Sequence, residues 1–200
     1  MPDKRMGRLE VITGCMFSGK TEELFRRLHR TEFVPPNSPN PQEFILFKPT
    51  TDDRYKKEKV STHSGQEFDA LLVDPEEISV GTLIESAGQG LFERATIIAF
   101  DEGQFFSDKL FDLCKQLIRM GKRVIVAGLD LDFAEKPFDP MPAVIALANP
   151  QYVDKLTAVC VRCGGEAIRT QRLVDTQDRI LVGGKKDYEA RCLNCYEPPE

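Results

Sequence analysis

The sequence predicts an α/β fold, a parallel sheet covered by helices on both faces, followed by a small module of different character. Three observations predict it. Some short runs are apolar almost throughout, such as Thr96–Phe100 and Arg123–Ala127, and lack the polar alternation of a sheet with one wet face. Such strands are buried on both sides, and parallel strands need crossover helices. Segments with apolar residues at helical spacing lie between them. From about Val159 that rhythm stops, and paired cysteines, paired glycines and short β-like runs replace it. Two units are expected, 1–158 and 159–200.

The elements follow in order. Leu9–Thr13 reads as the first strand, and Gly14 opens a glycine-bearing turn. Lys20–Arg30 reads as a helix, with Leu24, Phe25 and Leu28 on one face. Val34–Gln42 carries Pro35, Pro36, Pro39 and Pro41 and is expected to be an exposed, irregular connection. Phe44–Lys48 is a second strand, polar Thr50–Lys59 a loop, and Thr82–Ala87 a short helix. The strand Thr96–Phe100 stops at Asp101-Glu102. Ser107 or Asp108 is expected to cap a helix running to about Met120, with Leu110, Phe111, Cys114, Leu117 and Ile118 facing the core and Gly121 closing it. Arg123–Ala127 is a further buried strand, ending at Gly128.

Bulk properties narrow the function. Hydrophobic residues make up 41% of 200 residues, enough for a sizeable core. A net charge of −5 and a pI near 5.3 argue against a broad surface for nucleic acid or anionic membrane. They leave room for a small anion held by a few local donors. No apolar run approaches the roughly 20 residues that span a bilayer. Charged Met1–Arg8 has no secretory pattern. A cytoplasmic location is therefore expected, and the six cysteines are read as thiols or metal ligands before disulfides.

Gly14-Cys15-Met16-Phe17-Ser18-Gly19-Lys20-Thr21 matches G-x-x-x-x-G-K-[ST] between a strand and a helix, the context that motif requires. Glycines let backbone N–H groups turn inward around phosphates, and the following helix aims its positive end at the same anion. Lys20 is expected to reach the β- and γ-phosphates of ATP and Thr21 to ligate Mg²⁺. The first unit is thus P-loop NTPase-like. Asp101 and Glu102 end an apolar strand, at the edge where open α/β sheets bind ligands. Asp101 suits the Mg²⁺ shell, and Glu102 can accept a proton from an attacking hydroxyl.

Cys160-x-x-Cys163 and Cys192-x-x-Cys195 are two knuckles separated by 28 intervening residues. Four thiolates suit tetrahedral, structural Zn²⁺, with Gly164-Gly165 making the first tight turn. The gap exceeds the commonest spacing, so a segment loops out between the pairs. A redox pair or unconnected thiols are the alternatives. Cys114 falls on the apolar face of its helix, Cys15 lies in the phosphate loop, and His29 and His63 are isolated.

Together, Gly14–Thr21, Lys48-Pro49, Asp52-Asp53-Arg54-Tyr55, Asp101-Glu102-Gly103-Gln104-Phe105-Phe106, Gly128-Leu129-Asp130, Lys136-Pro137-Phe138, Lys155-Leu156-Thr157-Ala158, the four cysteines and Gly183-Gly184 with Tyr188 resemble the cellular, zinc-containing (type II) thymidine kinases. The resemblance runs from about Gly7 to Tyr196. It implies transfer of the ATP γ-phosphate to the 5′-hydroxyl of thymidine, and of deoxyuridine. Glu102 would be the general base, Lys20 and Arg54 would stabilise the transferring phosphoryl group, and Gly103 and Gln104 would belong to the phosphate site with Gly14–Thr21. The stretch between the knuckles would form a ribbon-anchored lasso over the nucleoside. In it, backbone groups of Arg179, Ile180, Leu181, Val182 and Gly183 would hold the thymine edge. Tyr188 would close on the base, Met16 and Leu129 would border the C5-methyl group, and Phe105 and Phe133 would line the pocket. A homotetramer and feedback inhibition by dTTP are also implied. The proline segment Val34–Gln42 is longer than the family's usual turn. The rival readings are a P-loop ATPase whose zinc ribbon binds nucleic acid, a nucleoside kinase with another base preference, and a metal-sensing module.

Overall fold

The computed structural model describes residues 6–35, 37–38, 41–50, 57–61, 67–174, 184 and 186–199, with backbone alone at 57–61 and 67–68. Arg54, His63 and Arg179–Gly183 lie outside the described residues.

A seven-stranded sheet carries the molecule. In chain order its strands are β1 (Arg8–Gly14), β2 (Phe44–Pro49), β3 (Lys57–Ser61), β4 (Glu67–Val73), β5 (Ile97–Phe100), β6 (Arg123–Gly128) and β7 (Val153–Leu156). Their spatial order is β3-β4-β2-β5-β6-β1-β7. All pairs are parallel except β3 with β4. The helices are α1 (Lys20–His29), α2 (Val80–Ala87), α3 (Gln89–Arg94), α4 (Lys109–Arg119) and α5 (Met141–Leu147).

Strand pleating explains why both faces are apolar. Ile98, Phe100, Val124 and Val126 turn toward α2–α5, within one buried cluster. Their neighbours Ile97, Ala99, Ile125 and Ala127 turn the other way, against Leu24, Phe25 and Leu28 of α1. Alternate residues of one strand thus fill two cores, which leaves no position for a polar alternation.

The described structure departs from the sequence reading in several elements. The polar stretch read as a loop ends in β3 at Lys57, and β4, α3, α5 and β7 were not foreseen. On α4 the fully buried stripe is Leu110, Leu113, Cys114 and Leu117, while Phe111 and Ile118 are half-buried. Neither Ser107 nor Asp108 caps that helix through its side chain, because Asp108 sits in helical geometry with no such hydrogen bond. Gly121 does close it, at φ 85°. α2 has a side-chain cap: Ser79 and Thr82 form a reciprocal capping box.

After Leu156 the strands shorten. β8 (Ala158–Val159) pairs β9 (Glu166–Ala167), and β10 (Arg169–Arg172) pairs β11 (Tyr188–Arg191), both antiparallel. Among the described residues no helix is long and apolar enough to cross a membrane.

Candidate active site

The carboxyl edge of the parallel strands gathers the phosphate loop after β1, the acidic pair after β5 and Leu129-Asp130 after β6. The loop runs from the end of β1 into α1, as the motif demands. Gly14 has φ 138°, and a Cβ there would lie 2.2 Å from Leu156 O and 2.9 Å from Ser18 Oγ. No larger residue fits that turn. Phe17 and Gly19 also take left-handed backbone, at φ 65° and 82°. Ser18 Oγ is buried and has no hydrogen-bond partner among the described residues, which suits a loop shaped for a polar ligand. Lys20 Nζ lies over the loop and donates to Cys15 O at 2.8 Å. Burial lowers its pKa, and the charges of Glu102, Cys15, Asp101 and Asp130 act against that shift.

The Thr21 hydroxyl reaches across the end of β6 to Asp101, 3.3 and 3.4 Å from the two carboxylate oxygens. Asp101 is buried. Burial pushes its pKa up to about 7 and the Glu102 charge adds to this, while the Glu102 backbone N–H and the Lys48 and Lys20 charges pull it down. A divalent cation between that carboxylate and that hydroxyl would offset the desolvation, so the pair fits Mg²⁺.

Glu102 occupies left-handed backbone, φ 53° and ψ 44°, a strained conformation for a residue with a Cβ. Its carboxylate accepts a 2.6 Å hydrogen bond from Gln104 Nε2. Gln104 is buried, and its Oε1 accepts the Leu129 N–H at 2.9 Å. The strut fits because Gly128 has no side chain: a Cβ there would stand 2.9 Å from Gln104 Oε1 and 2.8 Å from Met141 Sδ. Phe105, on the turn Gly103–Phe105, meets Phe138 edge to face with centroids 6.0 Å apart.

The segment after β6 links this group to the small strands. It carries Leu129 at one end and Phe133 further on. The Phe133 ring lies under the Arg172 guanidinium at 3.6 Å, and Arg172 donates to the Tyr188 hydroxyl at 2.9 Å. The Tyr196 hydroxyl donates to Phe133 O. Tyr188 and Arg172 are cross-strand partners on β11 and β10. Met16 is held by the same strand, its N–H donating to Thr170 Oγ1 at 3.0 Å. Sequence reasoning passed over Thr170 and Arg172. The signal available for them was slight: a polar run just after the first knuckle, with no motif to mark it.

The Sγ atoms of Cys160, Cys163, Cys192 and Cys195 all lie within 4.8 Å of one another, and none is in a disulfide. Cys163 and Cys192 Sγ are 3.7 Å apart. Zinc–sulfur bonds of about 2.3 Å give a tetrahedral edge of about 3.8 Å, so the donors fit the ion. Gly164 makes the first knuckle's turn at φ 74°. Hydrogen bonds from backbone N–H groups, that of Cys192 foremost, pull the Cys160 thiol down to about 6, toward the thiolate a metal needs.

A sequence model of the family described as "Thymidine kinase" matches residues 7–196. The thymidine kinase of Rhodothermus sp. (strain ITI 518) is 42% identical over 196 residues, covering 97% of this chain and 83% of that protein. That of Bacteroides thetaiotaomicron is 41% identical over 194 residues, covering 96% and 88%. That of Halobacterium salinarum is 39% identical over 196 residues, covering 95% and 94%.

Proposed function

The chain belongs to the thymidine kinase family, and from that premise we propose how its residues move the γ-phosphate of ATP to the 5′-hydroxyl of thymidine. The observation that carries the reading is the Glu102–Gln104–Leu129 strut beside the phosphate loop. It sets a carboxylate at the sheet edge with one oxygen engaged by Gln104. The other oxygen is left to take the proton of the attacking hydroxyl.

Gly14–Thr21 wraps the phosphates. Lys20, and Arg54 outside the described residues, stabilise charge on the transferring group. Thr21 and Asp101 would hold Mg²⁺, which would supply positive charge against the phosphates. Gly103 turns the chain after Glu102 so that Gln104 can reach back. Met16, Leu129, Phe105, Phe133 and Tyr188 bound the nucleoside. The backbone of 179–183 reads the thymine edge, and deoxyuridine is accepted for the same reason. Residues 1–158 form the nucleotide-binding unit and 159–200 the lasso unit, its ends pinned by zinc. A homotetramer, inhibition by dTTP, absence of nucleic-acid binding and a cytoplasmic location complete the assignment.

Glu102→Gln is expected to lower kcat by about 10²-fold or more while thymidine affinity is kept. Single-turnover kinetics and nucleoside binding on the same preparation check this, and parental turnover would remove Glu102 as the base. A coupled assay with Mg-ATP and thymidine, deoxyuridine, deoxycytidine or deoxyadenosine tests the acceptor. Preference for a purine would end the thymidine reading.

A further inference from the structure

We propose that Thr170 is a positioning residue for ATP: its hydroxyl oxygen fixes the phosphate loop through Met16, and metal in the four-thiolate site keeps Thr170 in place. This rests on the reading of Gly14–Thr21 as the ATP cradle. It extends the metal's part from the nucleoside flap to the phosphate side.

An anion cradle works only if several N–H groups converge on one point. Between Cys15 and Phe17 the loop does little to hold itself. Among the described residues its internal bonds both end on Cys15 O, from Ser18 N–H, long at 3.4 Å, and from Lys20 Nζ at 2.8 Å, and neither holds the Met16 N–H. Phe17 adds left-handed strain. The restraint comes from outside. Met16 N–H donates to Thr170 Oγ1 at 3.0 Å, and the Cys15 thiol donates to Ala167 O at 3.4 Å. Cys15 is also packed in a small buried cluster with Cys160, Ala167 and Ala190, bordered by Phe17, Cys192 and Cys195. Two of the metal-site cysteines thus border the same cluster as the loop, and a third lies within it.

The path from metal to loop is short. Thr170 pairs with Ala190 across β10 and β11, two residues before Cys192. Val161 N–H, inside the first knuckle, donates to Ala190 O at 3.1 Å, and Ile168 N–H donates to Arg191 O at 3.1 Å. A metal joining the two knuckles therefore clamps the Arg169–Arg191 end of the ladder, one residue pair from the Thr170 hydroxyl. Metal loss frees that ladder, and the Met16 N–H with it.

The test is equilibrium binding of Mg²⁺ with a non-hydrolysable ATP analogue, without nucleoside, to the full chain and to Thr170→Val, Thr170→Ser and Lys20→Ala. Melting temperature and bound zinc are measured on each. Thr170→Val keeps shape and loses the acceptor, so it is expected to bind the analogue about five- to tenfold more weakly with zinc retained. Thr170→Ser restores the oxygen and the affinity. The parent stripped of zinc is expected to weaken in the same sense and to recover on zinc addition. Parental affinity in Thr170→Val overturns the proposal even if its melting temperature falls, because packing alone would then explain the residue. Parental affinity after confirmed zinc loss overturns the metal's share. If Lys20→Ala also binds like the parent, the cradle reading has failed, not the brace. Should the stripped chain unfold, the Val and Ser pair carries the decision.

Discussion

Gln104 joins the Glu102 carboxylate to the Leu129 backbone through one buried amide, and neither hydrogen bond survives its loss. Gln104→Met keeps the length and roughly the volume but can neither donate to Glu102 nor accept from Leu129. The expected result is a kcat lower by about tenfold or more with little change in thymidine KM, read by steady-state kinetics. A fall in melting temperature should accompany it, since the Leu129 N–H is left without its acceptor. At this scale the sequence marked the candidate site residues better than the residues that support them. Lys20, Thr21, Asp101, Glu102 and the four cysteines stand in local strings whose spacing carries physical meaning, and the fold brings Thr21 to Asp101 and the four thiols together. Gln104 was legible only as part of a string, and its reach back to Glu102 depends on the empty space at Gly128. Thr170 acts on a residue 154 positions away, which no local pattern encodes.

The six-residue helix α3 illustrates what holds a short element in place. Lys122, just before β6, is buried and donates to the carbonyls of Phe92, Glu93 and Ala95. Those carbonyls close the end of α3, where no further turn supplies a donor. Burial lowers the Lys122 pKa, so the ammonium depends on these three acceptors. Lys122→Met should destabilise the fold by about 1–3 kcal/mol, seen as a lower denaturant midpoint with an unchanged slope. Elements with a strong period or a wholly apolar run were legible: β1, α1, β2, β5, α4 and β6. The missed ones have two causes, and β7, with Asp154 and Lys155 at a sheet edge, shares that of the strands. β3 and β4 carry charged residues near the sheet edge, and α3 and α5 are too short for a helical period to stand out. On α4, Phe111 looked as apolar as Leu113. α4 packs against β1, β6, α2 and α5, and those partners, which the helix's own sequence does not contain, decide which residue is buried.

At the scale of the whole molecule, Glu10 on β1 joins β1, α1 and β6 through three arginines. Glu10 accepts hydrogen bonds from Arg8, Arg27 and Arg123, and Arg27 also pairs with Glu23 and Asp154. Burial alone would raise the Glu10 carboxyl, but hydrogen bonds and charge from Arg123 and Arg8 hold it at about 2. A carboxyl depressed in the folded state stabilises it above the unfolded value of about 4.5, and that contribution drains away as pH falls toward 2. Its size is on the order of 3 kcal/mol. Denaturant midpoints measured from pH 7 down to pH 2.5 should therefore fall steeply below pH 4.5. Glu10→Gln should be weaker at neutral pH and lose much of that steepness. The catalytic edge has its own long-range tie, and it bears on synthesis. The bond between Met16 and Thr170 spans 154 positions of the polypeptide. At about 5–20 residues per second, a ribosome that has made the phosphate loop needs on the order of 10–30 s more to deliver its brace. A nascent chain halted before residue 170 would hold a complete motif and a poor grip on nucleotide. The enzyme is therefore expected to acquire ATP affinity only once residue 170 has left the ribosome and folded back.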